Sequence, residues 1–326
     1  MRLPRFLAAA AAVTVAVAPA SAQQPAKFPE AGHTIKMVVP FAAGGGVDNA
    51  ARLLGEQLRK RLGVTVIVDN RAGASGTIGG KSVETAPADG YTLLFSAATH
   101  IYARQVLLNP PYDPQTAFAP VARVGEAPLM LVIAPTLPQK TLADVLAAAK
   151  QQPEKWTAAI PASGAPSHLA TLLLAKQGNV RFSYVPYKGT QPAMVDVAGG
   201  HVNLLLDSMI SVLPLAKSGK VKPIAITSKK RSTLAPEVPT VQEGGLAGYV
   251  YESWYGVWAP KDTPADRIAA LNAAINAAVS ELGKSGAFAS LGIEPVTETP
   301  EQFRRYIADE VAQGAELLKS AGFRPE

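Results

Sequence analysis

The chain has 326 residues, of which 48% are hydrophobic and 17% are charged, a composition that indicates a compact globular protein with a substantial core. The formal net charge is +6, but the basic residues are scattered, and the densest cluster, Lys229–Arg231, has no interleaved aromatic residues, which argues against a nucleic-acid surface. Because the sequence contains no cysteine, a disulfide scaffold, a lipidated N-terminal cysteine and thiolate metal ligands are excluded.

The first 22 residues have the pattern of a secretory signal peptide. Arg2 and Arg5 form a basic start, an apolar run follows them, and Ala20 and Ala22 mark a small-x-small cleavage site. The alternative is an uncleaved membrane anchor, which is disfavoured because the apolar run is too short for a comfortable span. Cleavage near Ala22 leaves 304 residues (326 less 22), a length that favours two domains.

Along the rest of the chain, short apolar runs alternate with segments whose apolar residues have helical spacing. Strands are predicted at residues 34–41, 64–70, 91–97, 129–135, 181–187, 203–208 and 222–228. Helices are predicted at residues 49–63, 141–153, 168–178, 266–283 and 300–322. Gly63 ends the first of these helices, and Thr141 is the N-cap of the second. This alternation predicts an α/β protein with mainly parallel sheets.

Two extended stretches, residues 126–128 and 249–258, are candidates for crossings between two domains. If the chain leaves the first domain at one and returns at the other, domain 1 is discontinuous, with residues 23–125 plus 254–326, and domain 2 comprises residues 126–253. Such a pair encloses a cleft, where ligands preferentially bind.

Three consecutive glycines, Gly44–Gly46, separate the first predicted strand from the first predicted helix. Glycines let a ligand approach the backbone, and the N–H groups and dipole of a helix start favour an anion. The dinucleotide fingerprint fails at Asn49, the phosphate-loop pattern lacks its Gly-Lys-Ser/Thr, and Asp48 would repel a pyrophosphate with no arginine beside it. A small carboxylate is therefore favoured, and the alternative is a tight turn that needs positive φ values.

A second strand–loop–helix unit, "AIPASGAPSHLA" at residues 159–170, has the same small-residue character. Pro166 suits the first turn of the helix, and Ser163 either caps that helix or contacts a ligand. Two such helix starts, one in each domain, would face each other across the cleft and hold the ends of a short acid.

Sequence patterns for catalysis or metal binding are lacking. The histidines at positions 33, 100, 168 and 201 do not have metal-ligand spacing, and no G-x-S-x-G elbow occurs. Ser167 and His168 are adjacent, so their side chains diverge by about 100° on a helix and cannot form a nucleophile–base pair. His168 is expected to brace a loop or line a pocket. Asp207 ends the run "NLLLD" at the edge of a strand, where it either contacts a ligand or caps a loop.

Nine motifs occur in order along essentially the whole mature chain: "VVPFAAGGGVDNAARLL", "DNRAGASGTIGG", "APADGYTLLFS", "PPYDPQTAFAPVARV", "SGAPSHLA", "VPYKGTQPAMVDVAGGHVNLLLDS", "ITSKKRS", "VPTVQEGGLAGY" and "SWYGVWAPKDTP". Together they resemble the Bug family, the periplasmic solute-binding receptors of tripartite tricarboxylate transporters. The resemblance implies a two-lobed periplasmic-binding-protein fold, type II-like, that closes as a Venus flytrap on a small carboxylate in the cleft between the lobes. It implies no catalysis, no cofactor and no metal.

The resemblance also implies which residues hold the ligand. By motif these are Phe41, Gly44, Gly45, Asp48, Ala97, Ala98, Thr99, Ser163, Gly164, Ser167, His168, Tyr187 and Asp207. The implied receptor is periplasmic and monomeric, and its partners are the acid ligand and membrane transporter subunits, with no nucleic acid. The alternatives are a ligand sensor for a membrane signalling system and, from another class, an enzyme acting on carboxylates.

The sequence departs from the family pattern in both loops. Prolines, a Ser-Thr pair and two serines of the family are replaced by Ala42, Ala43, Gly46, Val47, Ile160 and Pro161. Because several hydroxyl donors are lost, the departures favour a smaller or partly apolar acid over a tricarboxylate.

Overall fold

A computed structural model describes residues 28–325, and the predicted signal peptide at residues 1–22 lies outside them. The strands are β1 (Thr34–Val39), β2 (Thr65–Asn70), β3 (Thr92–Ala97), β4 (Phe118–Ile133), β5 (Thr157–Ile160), β6 (Ser183–Pro186), β7 (Leu204–Ser208), β8 (Lys222–Ile226), β9 (Glu252–Pro260) and β10 (Glu294–Pro295). The helices are α1 (Gly46–Leu62), α2 (Thr77–Glu84), α3 (Ala103–Val106), α4 (Leu142–Gln151), α5 (Pro166–Gly178), α6 (Thr190–Ala198), α7 (Met209–Lys217), α8 (Ala265–Lys284) and α9 (Pro300–Ser320). None of these helices is both long enough and apolar enough to cross a membrane.

Strand β4 takes part in two sheets in succession. Its residues 118–128 pair with β9 in the first sheet, whose strand order is β2-β1-β3-β9-β4. Its residues 129–133 pair with β7 and β8 in the second sheet, which continues from β7 through β5 to β6. The fold is therefore two-lobed, and β4 passes from one lobe to the other between Pro128 and Leu129.

The prediction of mainly parallel sheets is right for the outer strands and wrong for the crossing strands. β1 runs parallel to β2 and β3, and β5 runs parallel to β6 and β7. By contrast, β4 and β9 are antiparallel to each strand with which they pair. The reason is topological, because β4 carries the chain from the first lobe to the second, and β9 receives the returning chain and lies between β3 and β4 in the first sheet.

Both sheets are covered by helices on their two faces. On β1, the neighbours Met37 and Val38 point to opposite faces, so one joins the core beneath α1 and α8 and the other joins the core beneath α9. In the second lobe, α4 and α5 pack on one face of the sheet, and α6 and α7 pack on the other. Because helices cover the faces of both sheets, a ligand can bind at the sheet edges and in the loops between these layers.

The ends of three helices follow from local chemistry. Gly63 ends α1 in the left-handed conformation, with a φ of 67°, as predicted. Thr141 caps α4 through a hydrogen bond from the Asp144 N–H, also as predicted. Pro166 is the first residue of α5, but Ser163 does not cap this helix, one of its two predicted roles, because Ala165 occupies the N-cap position.

Candidate functional site

A cavity of about 50 Å³ lies between the two lobes. Its walls are the loops after β1 and β5, the first turns of α1, α5 and α6, the ends of β3 and β7, and the start of β9. The polar side chains that line it are Asp48, Thr99, Ser167, Thr190, Asp207, Ser208, Ser253 and Tyr255. Within residues 28–325, no lysine or arginine contributes to this lining. Hydroxyl groups and backbone N–H groups therefore supply the donors of the cavity.

The structure brings part of the predicted site together at this cavity. The predicted residues that line it are Phe41, Gly45, Asp48, Ala97, Thr99, Ser167 and Asp207. The predicted residues that do not are Gly44, Ala98, Ser163, Gly164, His168 and Tyr187. Ala98 is buried in the apolar cluster beneath α9, and the Tyr187 hydroxyl donates a hydrogen bond of 2.6 Å to Asp196. Gly44, Gly164 and His168 hold the loops behind the lining, as described below.

The three glycines of the first loop have different structural roles. Gly44 is the member with a positive φ, +84°, so the tight-turn interpretation holds at this position. Gly45 is extended, with φ −79° and ψ 171°, and an added Cβ would make only ordinary contacts. A Cβ on Gly46 would lie 2.7 Å from the Ser208 Oγ and 3.1 Å from the Tyr255 hydroxyl. Gly46 is thus required by the close approach of the two lobes.

Asp48 holds the first loop from within helix α1. Its carboxylate accepts hydrogen bonds from the Gly44 N–H (2.9 Å), the Arg52 Nε (2.9 Å) and the Asn70 Nδ2 (3.0 Å). Burial alone would raise the pKa of Asp48, but these bonds outweigh it and hold the pKa below its ordinary value of 3.8. The expectation that Asp48 has no arginine beside it is therefore wrong, because Arg52 lies one helical turn further along the same face of α1.

His168 has the equivalent position in the second loop. It is the third residue of α5, as Asp48 is the third residue of α1, and its Nδ1 accepts a hydrogen bond of 3.1 Å from the Gly164 N–H. Burial lowers the pKa of His168 to about 4, so the imidazole is neutral at physiological pH and can act as this acceptor. Of its two predicted roles, the structure favours loop bracing. Gly164 has a φ of +74°, close to that of Gly44.

Both helix starts leave their first turns open toward the cavity. Neither the N-cap of α1, Gly45, nor that of α5, Ala165, has a side chain that caps the helix. The residues of these first turns, Gly46 and Val47 in α1 and Pro166 and Ser167 in α5, line the cavity. The first N–H groups of a helix have no partner within it, and they carry the positive end of the helix dipole. The cavity therefore lies between two anion-favouring helix ends.

Asp207 is the second-last residue of β7, lies on the wall of the cavity and is only 8% exposed. Its carboxylate accepts a hydrogen bond of 2.6 Å from the Thr190 hydroxyl and one of 2.7 Å from the Ser208 N–H. Burial raises the pKa of Asp207 to about 6, although these two bonds oppose the shift. Asp207 both caps its own loop and faces the cavity, so the two predicted roles are compatible.

Polar contacts across the cleft involve residues that the sequence analysis did not select. The Gln191 Nε2 of α6 donates a hydrogen bond of 2.9 Å to the Gly44 carbonyl, and the Ser208 and Tyr255 hydroxyls lie 3.2 Å apart. Thr190, beside Gln191, also lines the cavity. Neither hydrophobic periodicity nor metal-ligand spacing selects these residues in the sequence. The available sequence evidence was that "YKGTQ", which contains Thr190 and Gln191, and "LLLDS", which contains Ser208, occur in the family motifs.

The histidines show no sign of metal chemistry in the described residues. His100 is buried against Tyr112, Phe118 and Trp258, and burial lowers its pKa to about 3. His33 stacks on Tyr91 with a ring-centroid distance of 4.5 Å. Between residues 28 and 325, no three histidine, aspartate or glutamate side chains are grouped as a metal site would require.

Comparison with known proteins gives a consistent result. The family model for the "Tripartite tricarboxylate transporter family receptor" matches residues 50–323. Protein BugT of Bordetella pertussis is 39% identical over 290 residues, which cover 88% of this chain and 89% of BugT. The structure of the periplasmic binding protein BugD is similar with a TM-score of 0.85 and 37% identity, covering 90% of this chain and 99% of that one. The R. palustris protein Rpa4515, solved with adipate, has a TM-score of 0.87 and 33% identity, with 92% and 100% of the two chains covered.

Proposed function

We propose that this chain, which belongs to the Bug family of tripartite tricarboxylate transporter receptors, captures a small organic acid in the cavity between its lobes. The family consists of periplasmic solute-binding proteins, and the captured acid is delivered to the membrane subunits of such a transporter. Capture without chemical conversion is part of the proposal. The matching family model describes receptors and BugD is a periplasmic binding protein, and the adjacent Ser167 and His168 do not form a nucleophile–base pair.

The observation that carries this proposal is the pair of uncapped helix starts at the cavity. The first turns of α1 and α5 come from different lobes, and both contribute to the lining. A carboxylate held by the N–H groups of both turns would connect the lobes, and it would need no arginine or lysine to do so. Ligand binding would therefore favour the closed arrangement by as much as the acid's affinity differs between open and closed forms.

The apolar part of the lining supports an acid with a partly apolar body. Four of the positions that depart from the family pattern, Ala42, Gly46, Val47 and Pro161, line the cavity together with Phe41, and none of them offers a hydroxyl. We therefore favour a monocarboxylate or a slender dicarboxylate over a tricarboxylate. The adipate complex of Rpa4515, which is 33% identical, supports this choice because adipate is a dicarboxylate with an apolar chain.

We propose that domain 1 comprises residues 23–125 plus 254–326 and domain 2 residues 126–253, with β4 and β9 as the hinge. In support, β4 changes sheets between Pro128 and Leu129 and β9 begins at Glu252, each within three residues of a proposed domain boundary. Export is proposed to remove the first 22 residues, and the mature receptor is proposed to act as a monomer. Intact mass of protein from the periplasm of the native host should correspond to a chain that starts near Gln23; a full-length protein would contradict cleavage.

A sensor for a membrane signalling system remains the second candidate, since the same two-lobed fold would serve it. The two functions differ in what gene deletion does to uptake of the bound acid. In the transport proposal, deletion abolishes most uptake of a radiolabelled ligand, and a plasmid copy restores it. Unchanged uptake together with loss of a transcriptional response would favour the sensor.

Binding itself is tested by a thermal-shift screen with acetate, butyrate, benzoate, adipate, malate, aspartate and citrate. An acid present at 100 times its Kd stabilises the folded protein by roughly 2.7 kcal/mol, which raises the melting temperature by a few degrees. Adipamide, which has the shape of adipate without its charges, is the matched control. Flat melting curves for every acid would contradict the proposed function, as would stabilisation by adipate that adipamide reproduces in full.

A further inference from the structure

Asp207 poses an electrostatic problem for a receptor that binds anions. Its carboxylate lies on the cavity wall, is almost fully buried, and has hydrogen bonds from Thr190 and Ser208 but no cationic partner among the described residues. Two ionised carboxylates that share a buried site repel each other strongly. Either a proton or a donor on the ligand must therefore lie between Asp207 and a bound acid.

The geometry places Asp207 close to the anion-favouring end of α1. The Thr190 hydroxyl that binds Asp207 lies 3.9 Å from the position of a Cβ on Gly45, the N-cap residue of α1. A carboxylate bound at this helix end would therefore lie close to the Thr190 hydroxyl and to the Asp207 carboxyl group that it contacts. Because each Asp207 oxygen accepts a single protein hydrogen bond, either oxygen can still bind a proton that is shared with the ligand.

Other charged or titratable groups around the cavity do not remove the conflict. On α1, the charge of Asp48 is already balanced by Arg52, with 2.9 Å between the carboxylate and the Nε. On β9, burial raises the pKa of Tyr255 to about 12, so its hydroxyl is neutral. On α6 the facing group is the neutral Thr190, and on β4 the residue opposite Asp207 is Met130. Asp207 is therefore the group that must change its protonation.

We propose that Asp207 holds the ligand in its protonated form: its carboxyl O–H donates a hydrogen bond to an oxygen of the bound carboxylate, and one proton is taken up from solvent with each ligand anion. This inference rests on the proposed function and adds that the acid is bound together with a proton. An O–H···O⁻ bond between a carboxylic acid and a carboxylate is short and strong, so the shared proton turns a repulsive contact into an attractive one.

The proposal predicts a specific pH dependence of affinity. The pKa of Asp207 is raised to about 6 before an anion is added, and a neighbouring anion raises it further. Above pH 6, each ligand anion binds together with one proton taken up from solvent, so Kd rises about tenfold per pH unit. Below pH 6, Asp207 is already protonated, and Kd is constant until the ligand's own carboxyl is protonated. From pH 6.5 to pH 8.5 the affinity should therefore fall about 100-fold.

Isothermal titration calorimetry of the whole mature protein tests this inference directly. The probe is the acid with the highest affinity in the seven-acid panel above, titrated at pH 7.5 in phosphate, HEPES and Tris buffers, whose ionisation enthalpies differ. The slope of the observed enthalpy against the buffer enthalpy gives the protons taken up, which should be close to one. A slope of zero with tight binding would overturn the inference and leave the proposed function intact, since it would show that a donor on the ligand faces Asp207.

Variants separate Asp207 from other carboxylates. Asp207→Asn keeps a donor on the same side chain but cannot titrate, so proton uptake should fall to near zero and Kd should vary by less than about threefold between pH 6.5 and 8.5. Asp309→Asn, at an exposed position of α9, is the matched control and should keep the uptake of the wild type. Uptake that persists in Asp207→Asn would overturn the inference. If that variant fails to fold, Thr190→Val decides: losing the hydroxyl bond should raise the pKa of Asp207 and reduce the uptake measured at pH 6.5, close to that pKa, and unchanged uptake at pH 6.5 would overturn the inference. Failure of all seven acids to bind would instead contradict the proposed function, and this inference would fall with it.

Discussion

The two loops that precede α1 and α5 have the same geometry but different chemistry. In each, a glycine with a positive φ donates its N–H to the side chain four residues later, the third residue of the helix. That side chain is the ionised Asp48 in the first lobe and the neutral His168 in the second. Asp48 is further bonded to Arg52 and Asn70, whereas the His168 ring packs against Tyr184 and Phe323.

This comparison indicates how an anion site can be built without cationic side chains. Each brace holds its loop from within the helix, so the N-cap residues Gly45 and Ala165 need no side-chain cap and the first turn stays open to the cavity. An ionised and a neutral acceptor achieve the same backbone conformation. The loops should therefore respond differently to charge and pH while making equivalent contributions to binding.

The largest expected effect comes from closing the space between the lobes at one of these helix starts. In Gly46→Ala the new methyl group would lie 2.7 Å from the Ser208 Oγ, so the lobes cannot reach the present arrangement without moving Ser208. We expect affinity for the acid found in the screen to fall at least about 30-fold, with little change in melting temperature because the clash is relieved by opening. Gly55→Ala, on the same helix but not in the cavity lining, where the methyl group would have contacts of 3.5 Å or more, is the matched control and should change Kd by less than about threefold. Equal losses in the two variants would contradict a close approach of the lobes at Gly46.

Removing the ionised brace should cost stability as well as binding. Asp48→Ala leaves the Gly44 N–H, Arg52 and Asn70 without their shared acceptor, and we expect the free energy of unfolding to fall by roughly 1–3 kcal/mol. Because the folded pKa of Asp48 lies below 3.8, its contribution is present at neutral pH and is lost only as the pH falls through that folded value. Urea unfolding of wild type and variant at pH 7 and pH 5 should show the same difference at both pH values. A difference that halves by pH 5 would contradict an ionised brace with a lowered pKa.

The neutral brace should be the pH-sensitive one. The pKa of His168 falls from 6.5 to about 4 on burial, so the unfolded state binds the proton first, and stability declines as the pH is lowered from 6.5 toward 4. His168→Gln keeps an acceptor for the Gly164 N–H but does not titrate. At pH 7 it should cost about 1 kcal/mol, and between pH 6.5 and pH 4.5 it should lose less stability than the wild type. His100 is present in both proteins and cancels in this comparison. Parallel losses in urea unfolding would show that His168 is not the titrating group.

The smallest expected effect concerns the hydrogen bond from Gln191 to the Gly44 carbonyl, which crosses the cleft at an exposed position. Gln191→Ala should weaken ligand binding by about two- to fivefold through easier opening, without a measurable change in the melting temperature of the protein alone. Calorimetry with the same acid measures this directly. An unchanged Kd would mean that the bond does not stabilise the closed form.

Much of the fold was predictable because it is encoded locally. The runs at β1, β2 and β3 and the caps at Gly63 and Thr141 depend on neighbouring residues alone. The antiparallel arrangement of β4 and β9 was not predictable, because it follows from pairing residues 118–128 with residues 252–260, which lie more than 120 positions further along the chain. The short helices α6 and α7 were also missed, since each contains a proline, Pro192 or Pro214, that argues against a helix.

The site was predictable where the glycine loops mark it and unpredictable where distant segments meet. Gly45, Asp48 and Ser167 lie beside such loops, and all three line the cavity. Ser208 and Tyr255 are 47 residues apart and meet only in the folded chain, so no local pattern selects them. The Asp48–Arg52 pair was a missed local signal, because an acidic and a basic residue four positions apart on a helix face each other.

The central claim is that a carboxylate is held between the open first turns of α1 and α5. A crystal structure of the mature protein with the tightest-binding acid of the panel tests it most directly. We predict a carboxylate in the cavity, with oxygens within hydrogen-bond distance of N–H groups of both first turns, directly or through one water, and with one oxygen facing Asp207. An acid bound outside the cavity, or one that contacts a single lobe while the other helix start is bonded elsewhere, would contradict the account.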